Sequence, residues 1–251
     1  MGWIIFGIIA TVIVAIVIIA IVVSNKSGGG SSSRHSDHFI STSNTSTTPV
    51  ESILTPEEIK GEWAENRIAK LLNKISSEIP DSYVINNVTI PSGRDRNGNN
   101  RTTEIDHILF TKSGLFVIET KSRTGTIYGN EEDDDWSQTL GKYDEIEHTF
   151  FNPVKQNDIH IRVLRRLLRI DDLICFSCIV FEDGDISNVE SDLVIYPDDL
   201  EDFILDLLGE EAYNSQYVLN LYTRIKYYKD HPPKTKEEHI REVHENHKFD
   251  A

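Results

Sequence analysis

Residues 103–122 constrain the fold more than any other stretch of this chain. Two apolar runs, 105–110 and 115–118, flank the polar turn Lys112-Ser113-Gly114, which is the pattern of a β-hairpin. If the turn closes with two loop residues, Lys112 and Ser113, the register sets Asp106 directly opposite Glu119. Glu119 and Lys121 are two apart on a strand and share a face. Three acid–base groups are then expected to converge on one spot of a sheet. Facing carboxylates repel, so the arrangement is costly unless a cation sits between them. An ordinary ion pair between Glu119 and a neighbouring lysine would account for the same residues without any chemistry. His107, beside Asp106, points to the opposite face and is expected to pack.

A hard divalent cation such as Mg²⁺ or Mn²⁺ suits such a spot. It prefers oxygen ligands and is often held by one or two carboxylates plus a substrate phosphate. The cation would acidify a water, polarise the phosphate and offset charge in the transition state. Lys121 would add a donor near the attacked group. Asp106 and Glu119 are the candidate metal ligands.

Around the hairpin the chain reads as alternating helices and strands. Thr55, Pro56 and Glu58 form a helix start with a capping box, and Ile68, Leu71, Leu72 and Ile75 form the apolar stripe of a helix running to about Ile75. Residues 83–90 alternate as a strand, and 91–100 are polar and rich in Gly and Asn, as in a mobile loop. Residues 131–135 are an acidic run, most simply a solvated surface loop. A second helix is expected from Asn152-Pro153 to about Arg169, with Arg162, Arg165, Arg166 and Arg169 on its charged face. Residues 174–181 read as an apolar strand inside the sheet, followed by a strand at 193–196 and a helix from about Pro197. This order implies an α/β sandwich around one mixed sheet flanked by helices.

Residues 3–23 are almost entirely Ile, Val, Ala and Phe, long enough at about 1.5 Å per residue to span a hydrocarbon core. No basic residue precedes the run, which argues against a cleaved signal peptide. Lys26 and Arg34 follow it, so the expected arrangement is a single-pass membrane protein with its soluble domain in the cytoplasm. Residues 24–54 read as a Gly/Ser/Thr-rich linker, 55–222 as the folded domain and 223–251 as a charged tail.

The net charge of the 251 residues is −16, which disfavours a simple nucleic-acid coat but not a metal-dependent enzyme with an acidic centre. Residues 182–211 contain no Lys or Arg. The only cysteines, Cys175 and Cys178, are too few for a disulfide framework, and a strand would point them to opposite faces.

Four motifs stand in order: Gly61-x-x-x-Glu65, Ile105-Asp106-His107-Ile108, Gly114-Leu115-Phe116-Val117-Ile118-Glu119-Thr120-Lys121 and Asn152-Pro153-Val154-Lys155-Gln156. Together they resemble the nuclease-related domain (NERD) family, of the restriction-endonuclease-like PD-(D/E)XK superfamily, over residues 61–168. The resemblance implies a restriction-endonuclease-like fold and a set of catalytic residues formed by Glu65, Asp106, Glu119, Lys121 and Gln156. Ala64 stands where the family is expected to prefer Gly. Glu65 shares a helical stripe with Ile68 and Leu72 and can face the sheet, although a glutamate in the first half of a helix is also favoured by the helix dipole. Gln156 shares a face with His160; it could orient a water or bind phosphate, or only bridge helix and sheet.

The implied function is a membrane-anchored, Mg²⁺- or Mn²⁺-dependent nuclease acting on nucleic acid, DNA rather than RNA, with the lipid bilayer as its other partner. The alternative is a catalytically inactive membrane-tethered scaffold or nucleic-acid-binding protein that retains the fold.

Overall fold

Each helix begins where the sequence offers a cap. Helix α1, Pro56–Glu78, opens with Thr55 accepting from the Glu58 N–H at 3.2 Å while the Glu58 carboxylate accepts from the Thr55 N–H at 2.7 Å. It ends at Ile79, before Pro80, where the following ring disfavours helical backbone. Its buried stripe is Ala64, Ile68, Leu72 and Ile75. Helix α2, Pro153–Leu168, is capped by Asn152, and a left-handed Arg169 closes it. Helices α3, Leu200–Leu207, and α4, Ser215–Asp230, follow; the second crosses the expected boundary between residues 222 and 223.

The strands form two sheets. The first has five strands in the order β1 (Tyr83–Arg94), β2 (Asn100–Phe110), β3 (Leu115–Lys121), β7 (Cys175–Phe181) and β9 (Val194–Ile195). The first three are antiparallel neighbours, and β7 and β9 run parallel to β3. The second has four strands in the order β6 (Ile146–Phe151), β5 (Asp135–Leu140), β4 (Thr126–Asn130) and β8 (Asp185–Glu190). The expected single mixed sheet is therefore corrected to two. The first of them is flanked by helices as expected: α2 and α4 contribute to one core with Ile108, Phe110, Leu115 and Val117, while α1 and α3 contribute to the other with Leu109, Phe116 and Ile118.

The computed structural model describes residues 55–141, 146–234 and 238, all within one unit, Ser52–Ala251. The expected membrane helix at 3–23, the linker at 24–54 and all of residues 235–251 except Glu238 lie outside the described residues. No helix among the described residues is long and apolar enough to cross a membrane.

Two stretches expected to be loops are held more firmly than their composition implies. Of residues 91–100 only 95–99 are a loop, because β1 continues to Arg94 and β2 starts at Asn100, with a register shift between Pro91 and Gly93. The turn between them is tied by Asp95, whose Oδ1 accepts from the Asn97 and Asn99 N–H groups. Polar side chains satisfy a two-stranded ribbon as readily as a loop when water covers both faces, and so the polar composition misled. The acidic run 131–135 is the turn joining β4 to β5. It is pinned by Asn152, whose Nδ2 donates to the carbonyls of Asn130, Glu131 and Asp133.

Candidate active site

The β2–β3 hairpin has the expected turn, with the Thr111 N–H donating to Gly114 O at 3.0 Å across Lys112-Ser113. Its ladder pairs Phe110 with Leu115 through His107 with Ile118. One further step of that register sets Asp106 opposite Glu119. There the backbone pairing gives way to a side chain: the Thr120 N–H donates to Asp106 Oδ2 at 2.8 Å.

The neighbouring strand shapes the same spot. Ile85 and Val88, paired with Ile108 and Ile105, all lie in one core cluster, although residues three apart on a regular strand face opposite ways. The reversal falls at Asn87, whose φ of 51° is left-handed, and at Asp106 across from it. Asn87 Nδ2 donates to Glu65 Oε2, so the kink brings a residue of α1 toward the hairpin.

Glu119 is buried at 3% exposure, and its Oε1 accepts from Lys121 Nζ at 2.7 Å and Gln156 Nε2 at 2.8 Å. Lys121 Nζ also donates to Gln156 Oε1 at 2.9 Å, closing a ring of three side chains. Glu119 Oε2 has no hydrogen-bond partner, and neither does the buried His160 Nδ1, 3.6 Å away. Burial pushes the pKa of His160 down, partly offset by Glu119, so the pair is not a salt bridge at neutral pH. Withdrawal from water, then the charges of Glu119 and Glu65, hold the Asp106 carboxyl well above the usual carboxylate range; Lys121 and the Thr120 N–H pull the other way.

The structure thus brings Asp106, Glu119, Lys121 and Gln156 together, with Glu65 close enough to repel Asp106. His107 lies across the sheet from them. Its ring nitrogens meet Asn86 Oδ1 at 2.8 Å and Thr120 Oγ1 at 3.1 Å, and burial lowers its pKa to about 3, so it is a neutral packing residue. Asn157 extends the site's support: its Nδ2 donates to Val117 O at 2.7 Å and Ser177 Oγ at 2.9 Å, fixing α2 against β3 and β7. Asn87 carried no sequence signal for the site, and Asn157 carried only its polarity, one residue past Gln156.

No group of three or more His, Cys, Asp or Glu side chains able to hold a metal ion occurs among the described residues. Two facing carboxylates fit a hard cation that takes its remaining ligands from water and phosphate. A buried carboxylate oxygen without a partner is also what such an ion would satisfy.

Fold and site together define an α/β domain with a carboxylate–lysine cluster at the open end of a hairpin. Residues 60–182 match the family model of the nuclease-related domain, and the chain carries that domain. An uncharacterized protein of Bacillus anthracis is 34% identical over 122 residues, 49% of this chain and 52% of the relative; the match thus spans about half of either protein. The crystal structure of protein VC1899 from Vibrio cholerae aligns over 64% of this chain and 34% of its own, at 18% identity and a TM-score of 0.35, too slight a likeness to carry an argument. The family is described as nuclease-related.

Proposed function

We propose that this protein is a metal-dependent nuclease of the PD-(D/E)XK type that hydrolyses DNA phosphodiester bonds at Asp106, Glu119 and Lys121. The observation that supports it most is the end of the β2–β3 ladder. Two carboxylates are set opposite each other there, one oxygen of Glu119 is left without a partner, and a lysine stands beside them. Asp106 and Glu119 would hold Mg²⁺ or Mn²⁺. When bound, that cation acidifies a water and neutralises charge on the phosphate.

The chain's own residues do the rest. Lys121 places a positive charge beside Glu119, where it can donate to an oxygen of the attacked phosphate. Gln156 holds the lysine and the carboxylate in one geometry by accepting from the first and donating to the second. Glu65, braced by Asn87, adds negative charge near Asp106 and so strengthens the site's preference for a cation. Residues 3–23 are proposed as the membrane anchor, with the domain on the cytoplasmic side. Fusions at the C-terminus of a reporter active only outside the cytoplasm should stay dark.

The test uses the full-length chain with labelled DNA and RNA, in Mg²⁺, in Mn²⁺ and in chelator. Cleavage of DNA is expected with metal only, and Asp106→Asn should abolish it while weakening metal binding. The nuclease reading fails if no nucleic acid is cut under any condition, or if Asp106→Asn cuts as well as wild type. A scaffold would show no carboxylate-dependent metal binding in titration.

A further inference from the structure

The charge of the protein is divided across the five-stranded sheet. On the β9 side, the stretch 182–211, which runs through β8, β9 and α3, holds twelve acidic residues and no Lys or Arg. Basic side chains that reach this stretch are neutralised by carboxylates: Lys60 by Asp183, Arg67 by Glu182 and Asp198, Lys74 by Glu201. The β1 edge is the reverse. Arg94, Arg96 and Arg101 are exposed, and none makes an ion pair among the described residues, although Arg101 is near enough to Asp95 to help lower its pKa. Arg166 and Lys229 donate to the backbone carbonyls of Ser92 and Asn87, and those bonds leave their charge uncompensated. In a chain of net charge −16, cations gathered at one edge create a local positive field.

Shape adds a second observation. The β2–β3 ladder stops at His107, but β1 and β2 go on pairing with each other as far as Arg94 and Asn100. Beyond the buried Ile90 the ribbon is mostly exposed, and its turn is held rigid by Asp95. It is a two-stranded arm that begins beside Asp106 and ends in three arginines. A two-stranded ribbon fits the major groove of B-form DNA, whereas the deep, narrow major groove of an RNA duplex does not admit one. Arginines at its end match phosphates flanking that groove.

We propose that the β1–β2 arm grips duplex DNA through Arg94, Arg96 and Arg101 and so places a phosphodiester at the Asp106–Glu119 site. The proposal deepens the nuclease reading and rests on it for what happens after binding. Arg101 is five residues from Asp106 along β2, about 17 Å at the rise of an extended strand. On B-form DNA that is about five base pairs, so the arm grips the duplex about half a helical turn from the bond that is cut.

Binding is tested apart from cleavage, in chelator, by fluorescence anisotropy of the full-length chain with a labelled DNA duplex. The same DNA as a single strand, an RNA duplex and vesicles containing anionic phospholipid serve as competitors. R94A/R96A/R101A should weaken duplex binding at least ~10-fold and flatten the slope of log Kd against log salt by about three, one for each phosphate no longer neutralised. Its thermal melt should match wild type, because all three side chains are exposed. Charge reversal on the β9 side, E201K/D202K, should not weaken binding. The arm proposal fails if the triple variant binds duplex DNA like wild type, or if wild type does not bind it. It also fails if the arginines govern binding to single strand, RNA duplex or vesicles instead. Arm-dependent binding with no cleavage in metal would sink the nuclease reading alone; metal-dependent cleavage with arm-independent binding would sink the arm alone.

Discussion

The two sheets of this domain have different tasks. In the five-stranded sheet, β3 is buried from Leu115 to Thr120, with helices packed on both faces, and it carries the acid–base cluster at its end. In the four-stranded sheet, β4 buries only Ile127, β5 buries Trp136 and Gln138 and β8 buries none, and their core is the small cluster of Ile127 and Trp136 with Val154, Ile179 and Phe181. The last two belong to β7 of the first sheet, so one strand serves both cores. A site demanding fixed geometry is thus built on the sheet clamped from both sides, while the second sheet braces the loops and the start of α2.

The division breaks first, if it is wrong, at Trp136. This ring is buried beside Phe181, donates to Asn130 O at 2.8 Å, and lies so close to Gly129 that a Cβ there would come within 2.3 Å of it. Trp136→Ala should cost about 3–5 kcal/mol in denaturant unfolding. Cleavage per folded molecule should stay near wild type; its collapse under conditions where the variant is folded would show that the second sheet takes part in the chemistry. Lys121→Ala comes next and reports on the first sheet. Both carboxylates remain, so metal should still bind, while cleavage falls at least ~10²-fold, the usual scale for one lost transition-state donor. Retained activity would leave Lys121 as a mere partner of Glu119.

Asp106→Asn has a smaller effect, on stability, and its sign is informative. The folded-state pKa of Asp106 is raised, so between the ordinary aspartate range and that raised value the folded chain holds the proton more tightly than the unfolded chain does. Stability from this group is therefore complete in acid and is lost as pH rises through that window. The uncharged variant should melt above wild type at neutral pH in chelator, and the gain should vanish in acid. Added Mg²⁺ should raise the wild-type melt and leave the variant's unmoved. A variant less stable than wild type at neutral pH would show that the facing acids are not in conflict. The smallest effect is expected at Arg67→Ala, between α1 and the acidic stretch: both of its ion pairs are at the surface, and the loss should stay under ~1 kcal/mol and shrink further in salt.

How far the sequence could be read follows the same division. The β2–β3 register was legible because apolar runs either side of a two-residue turn allow one pairing that buries both, and the caps of α1 and α2 stand out for the same local reason. The second sheet was not legible. Residues 126–151 alternate weakly, and their burial depends on Ile179 and Phe181, far along the chain. Asn87 was equally silent: its left-handed backbone and its bond to Glu65 follow from where α1 lands, not from its neighbours in sequence. Glu119, Lys121 and Gln156 were each visible as candidates, but their closed ring depends on the distance between α2 and β3, which Asn157 sets through Val117 O.

The cysteines of β7 have a practical consequence. Burial raises the Cys175 thiol to about 11 and the enclosed Cys178 higher still, so both stay protonated at neutral pH, and it is the thiolate that alkylating dyes attack. A cysteine introduced at an exposed position such as Asn97, at the turn of the β1–β2 ribbon, would react far faster than either native thiol. The unaltered background therefore accepts a single site-directed fluorophore, and the ribbon's approach to a labelled duplex can be followed by energy transfer without first removing Cys175 or Cys178.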